Sequence, residues 1–324
     1  MLVSVLLFAV GLVLLIKGGD WFVDGATGIA KRFNLPDIVV GATVVSIGTT
    51  LPEVMVSTTG ALAGSGAMAY GNAIGSIICN TALIAAISIT CNPGPVNVKS
   101  MKTPAFFFFM SVALYCFASY ILGEFPRWMG FVMLGIFVVY MVLTVRNGMQ
   151  NPDASEEEEE DEKKERKLWQ ELLLLVAGAA VIAVGADLLV DHGQIIAREL
   201  GVPETVVALL FVALGTSLPE LVTTITSLKK GRASLGVGNV IGANVFNLVL
   251  VSGVAVSLAP FPVPMENELL NTGLNMSLVL EIPVMLGVMS LMIFPALATK
   301  KLGRWQGIAL LCIYAAFCVC QFVL

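Results

Sequence analysis

Charge is scarce in this sequence. Only 13% of its 324 residues are Asp, Glu, Lys or Arg, about half the share usual in a soluble domain. Histidine occurs once, as His192. The six cysteines (Cys79, Cys91, Cys116, Cys312, Cys318 and Cys320) show no metal-binding spacing, and most lie inside apolar runs. They read as small buried hydrophobes, which excludes a zinc module or a disulfide scaffold. Excess positive charge is also missing: the net charge is −5, which argues against nucleic acid or another polyanion as partner. What the chain has instead is apolar residues, 57% of the total, with a mean hydropathy of +0.90. A soluble fold of this length could not hide that much apolar surface in one core. The class that remains is an all-α membrane protein with the lipid bilayer as its main environment.

Roughly 20 apolar residues cross a bilayer as a helix. Ten runs qualify: 2–28, 36–62, 68–90, 103–122, 127–146, 168–197, 204–228, 235–258, 278–297 and 304–323. The breaks between them carry stop signals such as Asn92-Pro93-Gly94-Pro95 and Pro260-Phe261-Pro262-Val263-Pro264. The apolar run beginning at Leu2 has no basic stretch before it and no small-residue cleavage site, so a spanning helix is expected there, not a removed signal. With the first residue outside and alternate crossing, 15 basic residues fall on the inner side: Lys31, Arg32, Lys99, Lys102, Arg146, Lys163, Lys164, Arg166, Lys167, Lys229, Lys230, Arg232, Lys300, Lys301 and Arg304. Only Arg127 and Arg198 fall outside. This positive-inside bias predicts a multi-pass cell-membrane protein with both termini outside and the 148–167 linker cytoplasmic. The linker's acidic run, Glu156 to Glu162, reads as a solvated, self-repelling segment; it lacks the spacing of a calcium-binding loop.

The chain repeats itself. Gly48-Thr49-Thr50-Leu51-Pro52-Glu53 returns as Gly215-Thr216-Ser217-Leu218-Pro219-Glu220, an offset of 167. Gly71-Asn72-Ala73-Ile74-Gly75 returns as Gly238-Asn239-Val240-Ile241-Gly242 at the same offset, as do Asp20 with Asp187, Asp24 with Asp191, and Pro36 with Pro203. The expected division is a first five-helix repeat at 1–147, the linker at 148–167 and a second five-helix repeat at 168–324. Five is odd, so the second repeat enters the membrane upside down. Ten transmembrane helices in two inverted five-helix repeats is a plan of secondary transporters, with the substrate site at the midplane.

Glu53 and Glu220 lie midway along apolar runs, where a carboxylate is expensive and marks ion or proton handling. Pro52 and Pro219 lack an amide hydrogen and displace the carbonyl four residues earlier, at Gly48 and Gly215. Each helix should break there and leave carbonyls free in a cavity. Helical spacing puts Ser46, Thr49, Thr50 and Glu53 on one stripe, with Ala213, Thr216, Ser217 and Glu220 as its counterpart. On the next helix Ser76 and Asn80 lie four apart, matched by Ala243 and Asn247. Carboxylate, hydroxyl, amide and carbonyl oxygens without His or Cys suit a hard cation such as Ca²⁺, and two carboxylates neutralise one. The glycine pairs Gly71/Gly75 and Gly238/Gly242 would let this helix approach the broken one closely.

These paired motifs, Gly-Thr-Thr-Leu-Pro-Glu with Gly-Asn-Ala-Ile-Gly-Ser and Gly-Thr-Ser-Leu-Pro-Glu with Gly-Asn-Val-Ile-Gly-Ala-Asn, resemble the two α-repeats of the sodium/calcium exchanger branch of the cation/calcium antiporters. The resemblance covers essentially the whole chain. It implies that Glu53 and Glu220 hold Ca²⁺ and share Na⁺, and that Thr49 and Thr216 add oxygens to the calcium position. Ser46 and Ala213 would offer carbonyls to sodium, and Thr50, Ser217, Ser76, Asn80 and Asn247 would complete the sodium and central positions. Ca²⁺ and Na⁺ are then cargo, no cofactor is expected, and the first and sixth helices would slide across the core to alternate access. Three departures matter: Ala243 stands where a serine is common, Ile77 replaces an asparagine that Asn244 retains, and Asn247 replaces the aspartate that accompanies potassium dependence in some members. Exchange would be potassium-independent and, at three Na⁺ per Ca²⁺, electrogenic.

The nearest competing reading is a Ca²⁺/H⁺ antiporter of the same superfamily, which tends to carry an acidic residue inside the Gly-Asn motif; none is present here. A passive cation channel is a second alternative. An intramembrane enzyme using Glu53 and Glu220 lacks any accompanying nucleophile or paired-aspartate motif. Asp20, Asp24, Asp187 and Asp191 are expected in helix pairing or along the access routes, His192 at an interface, and Glu281 at a helix start facing outward.

Overall fold

The computed structural model describes residues 2–150, 166–200, 215–264 and 275–323. It is a bundle of helices: α1 (Leu2–Phe33), α2 (Asp37–Thr49), α3 (Leu51–Leu62), α4 (Gly66–Cys91), α5 (Val98–Leu122), α6 (Arg127–Gln150), α7 (Leu168–Glu199), α8 (Leu218–Lys229), α9 (Ala233–Leu258), α10 (Ser277–Thr299) and α11 (Arg304–Val323). Eight of these are each long and apolar enough to cross a membrane, and the bent pair α2–α3 makes a ninth candidate span. The seventh predicted run, 204–228, lies partly outside the described residues, and α8 is its described part. The acidic run Glu156 to Glu162 also lies outside them.

Burial divides the helices into centre and periphery. The apolar windows of α4 and α9 are 72% and 83% buried, those of α1 and α7 only 28% and 22%. Outward faces of the peripheral helices present Leu6, Val13, Phe131, Val138 and Leu173, apolar side chains of the kind a bilayer covers. Trp128, Trp169 and Trp305 are exposed in the first turns of α6, α7 and α11, as expected of residues anchored at a membrane interface. The same exposure corrects the cysteine expectation. Among the six, only Cys79 is fully buried; Cys116, Cys318 and Cys320 are part-buried, and Cys91 and Cys312 are exposed.

The core falls into two apolar clusters. The larger runs through α4, α5, α6, α9 and α10. The smaller lies along α1 and α7 and includes Leu15, Phe22, Ala26, Leu175 and Ile182. α1 and α7 run antiparallel and meet through glycine: a Cβ on Gly11 would stand 2.9 Å from the Gly185 carbonyl oxygen, and one on Gly185 would stand 2.9 Å from that of Gly11. Glycine also sets the approach of α9 to α2. A Cβ on Gly242 would lie 2.5 Å from the Ala42 Cα, and one on Gly238 would overlap the Ile38 carbonyl. The glycine pair on α9 therefore serves contact with the broken helix of the other half of the chain.

Loop pairings sort the helix ends into two sets. At one end β1 (Gly94–Pro95) pairs antiparallel with β4 (Lys301–Leu302), Asn147 Nδ2 donates to Thr103 Oγ1 at 2.9 Å, and Arg32 donates to the Arg166 carbonyl at 3.0 Å. At the other end β2 (Glu124–Phe125) pairs antiparallel with β3 (Phe261–Pro262), and Gly66 abuts Phe261. Helix direction places Arg127 and Arg198 at this second end, while the described lysines and arginines at the other helix ends gather at the first.

Ion pairs tie the first end together, and those of Arg232 and Lys230 differ in burial. Arg232 Nη1 lies 3.2 Å from both carboxylate oxygens of Asp37, with side-chain exposures of 7% and 2%. Lys230 Nζ lies 2.8 Å from Asp24 Oδ1 and 3.6 Å from Asp20 Oδ1, with exposures of 28% and 43%. Breaking a buried pair costs about 3–5 kcal/mol, whereas a part-exposed pair contributes about 1 kcal/mol or less. Arg232→Met is therefore expected to lower the melting temperature of the detergent-solubilised protein several times more than Lys230→Met. Equal shifts would show that the Asp37 pair is not stabilising in this way.

Candidate cation-binding site

The site is built on two breaks in apolar helices. α2 ends at Thr49, and α3 starts at Leu51 after a 47° bend. Pro52 and Pro219 sit in the first turns of α3 and α8, where a missing N–H does no harm. Glu53 and Glu220 follow immediately, still in those first turns. The positive end of each half-helix dipole thus lies beside a carboxylate. The sequence anticipated free carbonyls at both breaks, but the Gly215 carbonyl accepts from the Leu218 N–H at 3.3 Å. A tight turn ahead of the proline takes up that acceptor.

Both carboxylates are completely buried, at 0% exposure, and each lies within the electrostatic reach of the other. Thr49 at the end of α2 and Thr50 at the bend face the Glu220 carboxyl, so the first broken helix serves the acid of the second. Among the described residues, none of the four carboxylate oxygens has a hydrogen-bond partner. The same holds for Thr50 Oγ1, Ser217 Oγ and both polar atoms of the Asn80 and Asn247 amides. Buried polar atoms are normally paired, so unpaired ones clustered at one depth need a physical account. Carboxylate, hydroxyl and amide oxygens around two negative charges form an all-oxygen environment suited to hard cations. No cluster of three or more His, Cys, Asp or Glu occurs among the described residues, which leaves neutral oxygens as the remaining donors.

Asn80 and Asn247 occupy equivalent places. Each is the first residue of a wide π turn, Asn80–Ala85 within α4 and Asn247–Val251 within α9. A π turn loosens the helical hydrogen-bond ladder and recurs at functional positions. Ser76 is buried one turn before Asn80, while Ala243 is buried at its counterpart and contributes no hydroxyl. Ile77 is buried as well, where Asn244 in the other half donates to Thr81 Oγ1 at 2.7 Å. The Ser46 carbonyl accepts from the Thr50 N–H at 3.0 Å, which occupies one of its two lone pairs. Ala213 lies outside the described residues.

Two residues that the sequence reading treated only as motif markers enter the site directly. Thr49 Oγ1 donates to Asn239 Oδ1 at 3.1 Å, and Thr216 Oγ1 donates to Asn72 Oδ1 at 3.4 Å. The two bonds are related by the sequence offset of 167 at both ends. The signal was an amide recurring at membrane depth among small residues. Three more hydroxyls were also passed over: Thr223, Thr224 and Ser227 are buried along one face of α8 beyond Glu220 and have no partners among the described residues.

Glu281 occupies the first turn of α10, where it accepts from Ser277 Oγ at 2.7 Å and from Gln321 Nε2 at 3.2 Å. A cavity of about 900 Å³ lies between α7 and the two breaks. Gly48, Pro52, Thr216 and Pro219 form part of its wall, with Asp187, Asp191 and Gln194 of α7.

The chain is similar to known proteins along nearly its whole length. The family described as sodium/calcium exchanger protein matches residues 3–146 and 171–323. An uncharacterized membrane protein of Methanocaldococcus jannaschii is 34% identical over 308 residues, covering 95% of this chain and 94% of its own. The sodium/calcium exchanger MaX1 of Methanosarcina acetivorans is 31% identical over 355 aligned positions, covering 99% of each chain. Among solved structures, the sodium-calcium exchanger NCX_Mj soaked with 10 mM Na⁺ and zero Ca²⁺ superposes with a TM-score of 0.77 at 31% identity, covering 97% of both chains. With matches to both halves of the chain, this protein belongs to the sodium/calcium exchanger family.

Proposed function

We propose that the chain is a secondary active antiporter that exchanges Na⁺ for Ca²⁺ by alternating access, with both ions as cargo and no cofactor. One observation carries the reading: four fully buried, unpaired carboxylate oxygens from Glu53 and Glu220 meet at one site among hydroxyl and amide oxygens. Two negative charges there balance one Ca²⁺. Replacing that ion with Na⁺ ions satisfies the same oxygens at a different total charge. Three Na⁺ leave one excess positive charge, so the exchange is electrogenic. Glu53 and Glu220 hold Ca²⁺ with Thr49 and Thr216. Thr50, Ser217, Ser76, Asn80, Asn247 and the carbonyls of Ser46 and Ala213 serve Na⁺ and the central position. Asn247 carries no charge, which supports independence from potassium.

The proposed architecture is ten transmembrane helices in two inverted five-helix repeats, 1–147 and 168–324, joined by the 148–167 linker. Hydrogen bonds that cross between halves at a common offset support the inversion. The clustering of lysine and arginine at one end supports a cytoplasmic linker with both termini outside. α1 and α7, which share their own apolar cluster, are the pair that slides over the remaining helices. The relative MaX1 is a sodium/calcium exchanger by name, and NCX_Mj is a sodium-calcium exchanger studied in extracellular ion exchange and binding-site occlusion.

In proteoliposomes, an outward Na⁺ gradient is expected to drive uptake of radiolabelled Ca²⁺, faster with an inside-positive potential, because each cycle of three Na⁺ out for one Ca²⁺ in carries one net positive charge outward. Uptake driven by a proton gradient without Na⁺ would favour a Ca²⁺/H⁺ antiporter instead, and uptake without any counter-ion would favour a channel. Glu53→Gln and Glu220→Gln should each abolish exchange, by at least about 100-fold, since a lost charged ligand in a buried site costs several kcal/mol. Wild-type-like flux in both variants would rule out the site. Ala243→Ser restores a hydroxyl at a buried position and is expected to lower the Na⁺ concentration for half-maximal exchange about two- to threefold, within what one added hydrogen-bonding oxygen contributes. An unchanged Na⁺ titration would remove Ala243 from the sodium position.

A further inference from the structure

A hydroxyl can bind a cation only with its lone pairs, so its proton must point elsewhere. At this site an amide oxygen stands within hydrogen-bond reach to take that proton. Thr49 Oγ1 donates to Asn239 Oδ1 at 3.1 Å. Ser46 Oγ lies 3.2 Å from the same oxygen, 3.0 Å from the Asn239 backbone carbonyl and 2.8 Å from the Gly41 carbonyl, so acceptors alone surround its proton. Thr216 Oγ1 donates to Asn72 Oδ1 at 3.4 Å. The orientation of the Asn72 amide is set by chemistry as well as by distance. Its Nδ2 faces the Glu53 backbone carbonyl at 3.3 Å, which can only accept, and Ser57 Oγ at 2.9 Å. Its carbonyl oxygen is thereby left for Thr216.

We propose that Asn72 and Asn239 are positioning residues of the exchange site: each takes the hydroxyl proton of the threonine from the opposite half of the chain, so that Thr216 and Thr49 show only lone pairs to the cation. The crossing matters. Asn239 is on α9 and Thr49 on α2; Asn72 is on α4 and Thr216 lies two residues before α8. Glycines on either side of Asn239 bring the α9 backbone against α2 closely enough for the bond. Each asparagine therefore tests whether the opposing broken helix is in register, and the ligand hydroxyl is aimed only when it is. Asn72 also holds the backbone of Glu53 directly, so one amide orients a hydroxyl ligand of one half and the acid of the other.

This inference rests on the exchange reading, and a double-mutant cycle separates the two. Na⁺-gradient-driven Ca²⁺ uptake is measured in proteoliposomes for wild type, Asn239→Leu, Thr49→Val and the double variant. Asn239→Leu keeps approximate size and removes the acceptor. It is expected to raise the Ca²⁺ concentration for half-maximal uptake about tenfold, the effect of misdirecting one hydrogen-bonded ligand at a charged site, with a smaller change in maximal rate. Thr49→Val should do the same, and the double variant should resemble the singles, not show about 100-fold weakening. Asn239→Asp retains the acceptor oxygen and should restore the response to removal of the Thr49 hydroxyl. Effects that multiply, or an Asn239→Leu titration within about twofold of wild type, would overturn the proposal while leaving wild-type exchange intact. Absence of Na⁺-dependent uptake in wild type would instead overturn the exchange reading. If Asn239→Leu does not yield folded protein, the same cycle with Asn72→Ala and Thr216→Val decides, because that pair is only part-buried.

Discussion

Two carboxylates share one fully buried site, and the rest of the structure is arranged around that fact. Moving a single carboxylate out of water carries a penalty of several kcal/mol even after the protein relaxes. Two of them also repel each other. Among the described residues, no lysine or arginine forms an ion pair with Glu53 or Glu220, and none of their oxygens is hydrogen-bonded. The half-helix ends at Leu51 and Leu218 supply partial positive charge, but a dipole end is a weak substitute for an ion. In the proposed exchange, mobile cations would complete the balance. A fixed arginine in this place would satisfy the charge permanently and leave nothing to exchange. The absence of a fixed partner is therefore as much a part of the site as the acids themselves.

Much of this was legible from residues alone because the chain states it twice. A constant offset of 167 picked out the acids, the prolines that break the helices and the stripes of hydroxyls, and the structure buries Ser46, Thr49, Thr50, Glu53, Ser76, Asn80, Ser217, Glu220 and Asn247 as a polar interior. Other features were not legible, for specific reasons. The π turns starting at Asn80 and Asn247 arise from local backbone geometry that helical spacing does not encode. The partners of Asn72 and Asn239 lie 144 and 190 residues away, so periodicity within one helix could not name them. Free carbonyls were expected at both glycines before the breaks, yet a turn hydrogen bond occupies that of Gly215. Burial of the cysteines was inferred from their apolar neighbours, which in a bilayer does not distinguish a protein core from a lipid-facing surface.

The duplication is also imperfect, and the imperfections are ordered in space. Lys230 pairs with Asp20 and Asp24, and Arg232 with Asp37, all at the end of the bundle rich in lysine and arginine. The offset of 167 carries Asp20 and Asp24 onto Asp187 and Asp191, but it carries Lys230 and Arg232 back onto Ala63 and Ser65. The acids were kept in both halves and the cations in one. Asp187 and Asp191 instead line the cavity that reaches the two helix breaks. In the proposed inverted arrangement, perfect symmetry would make the two access states equal in energy. An ionic tie between α1 and the end of α8 on one face alone removes that equality. Its size decides what it can do. A part-exposed pair contributes up to about 1 kcal/mol, which shifts a two-state equilibrium by about fivefold. That is enough to favour one access state at rest. It is too little to hold the transporter there once an ion bound between Glu53 and Glu220 changes the balance of charge.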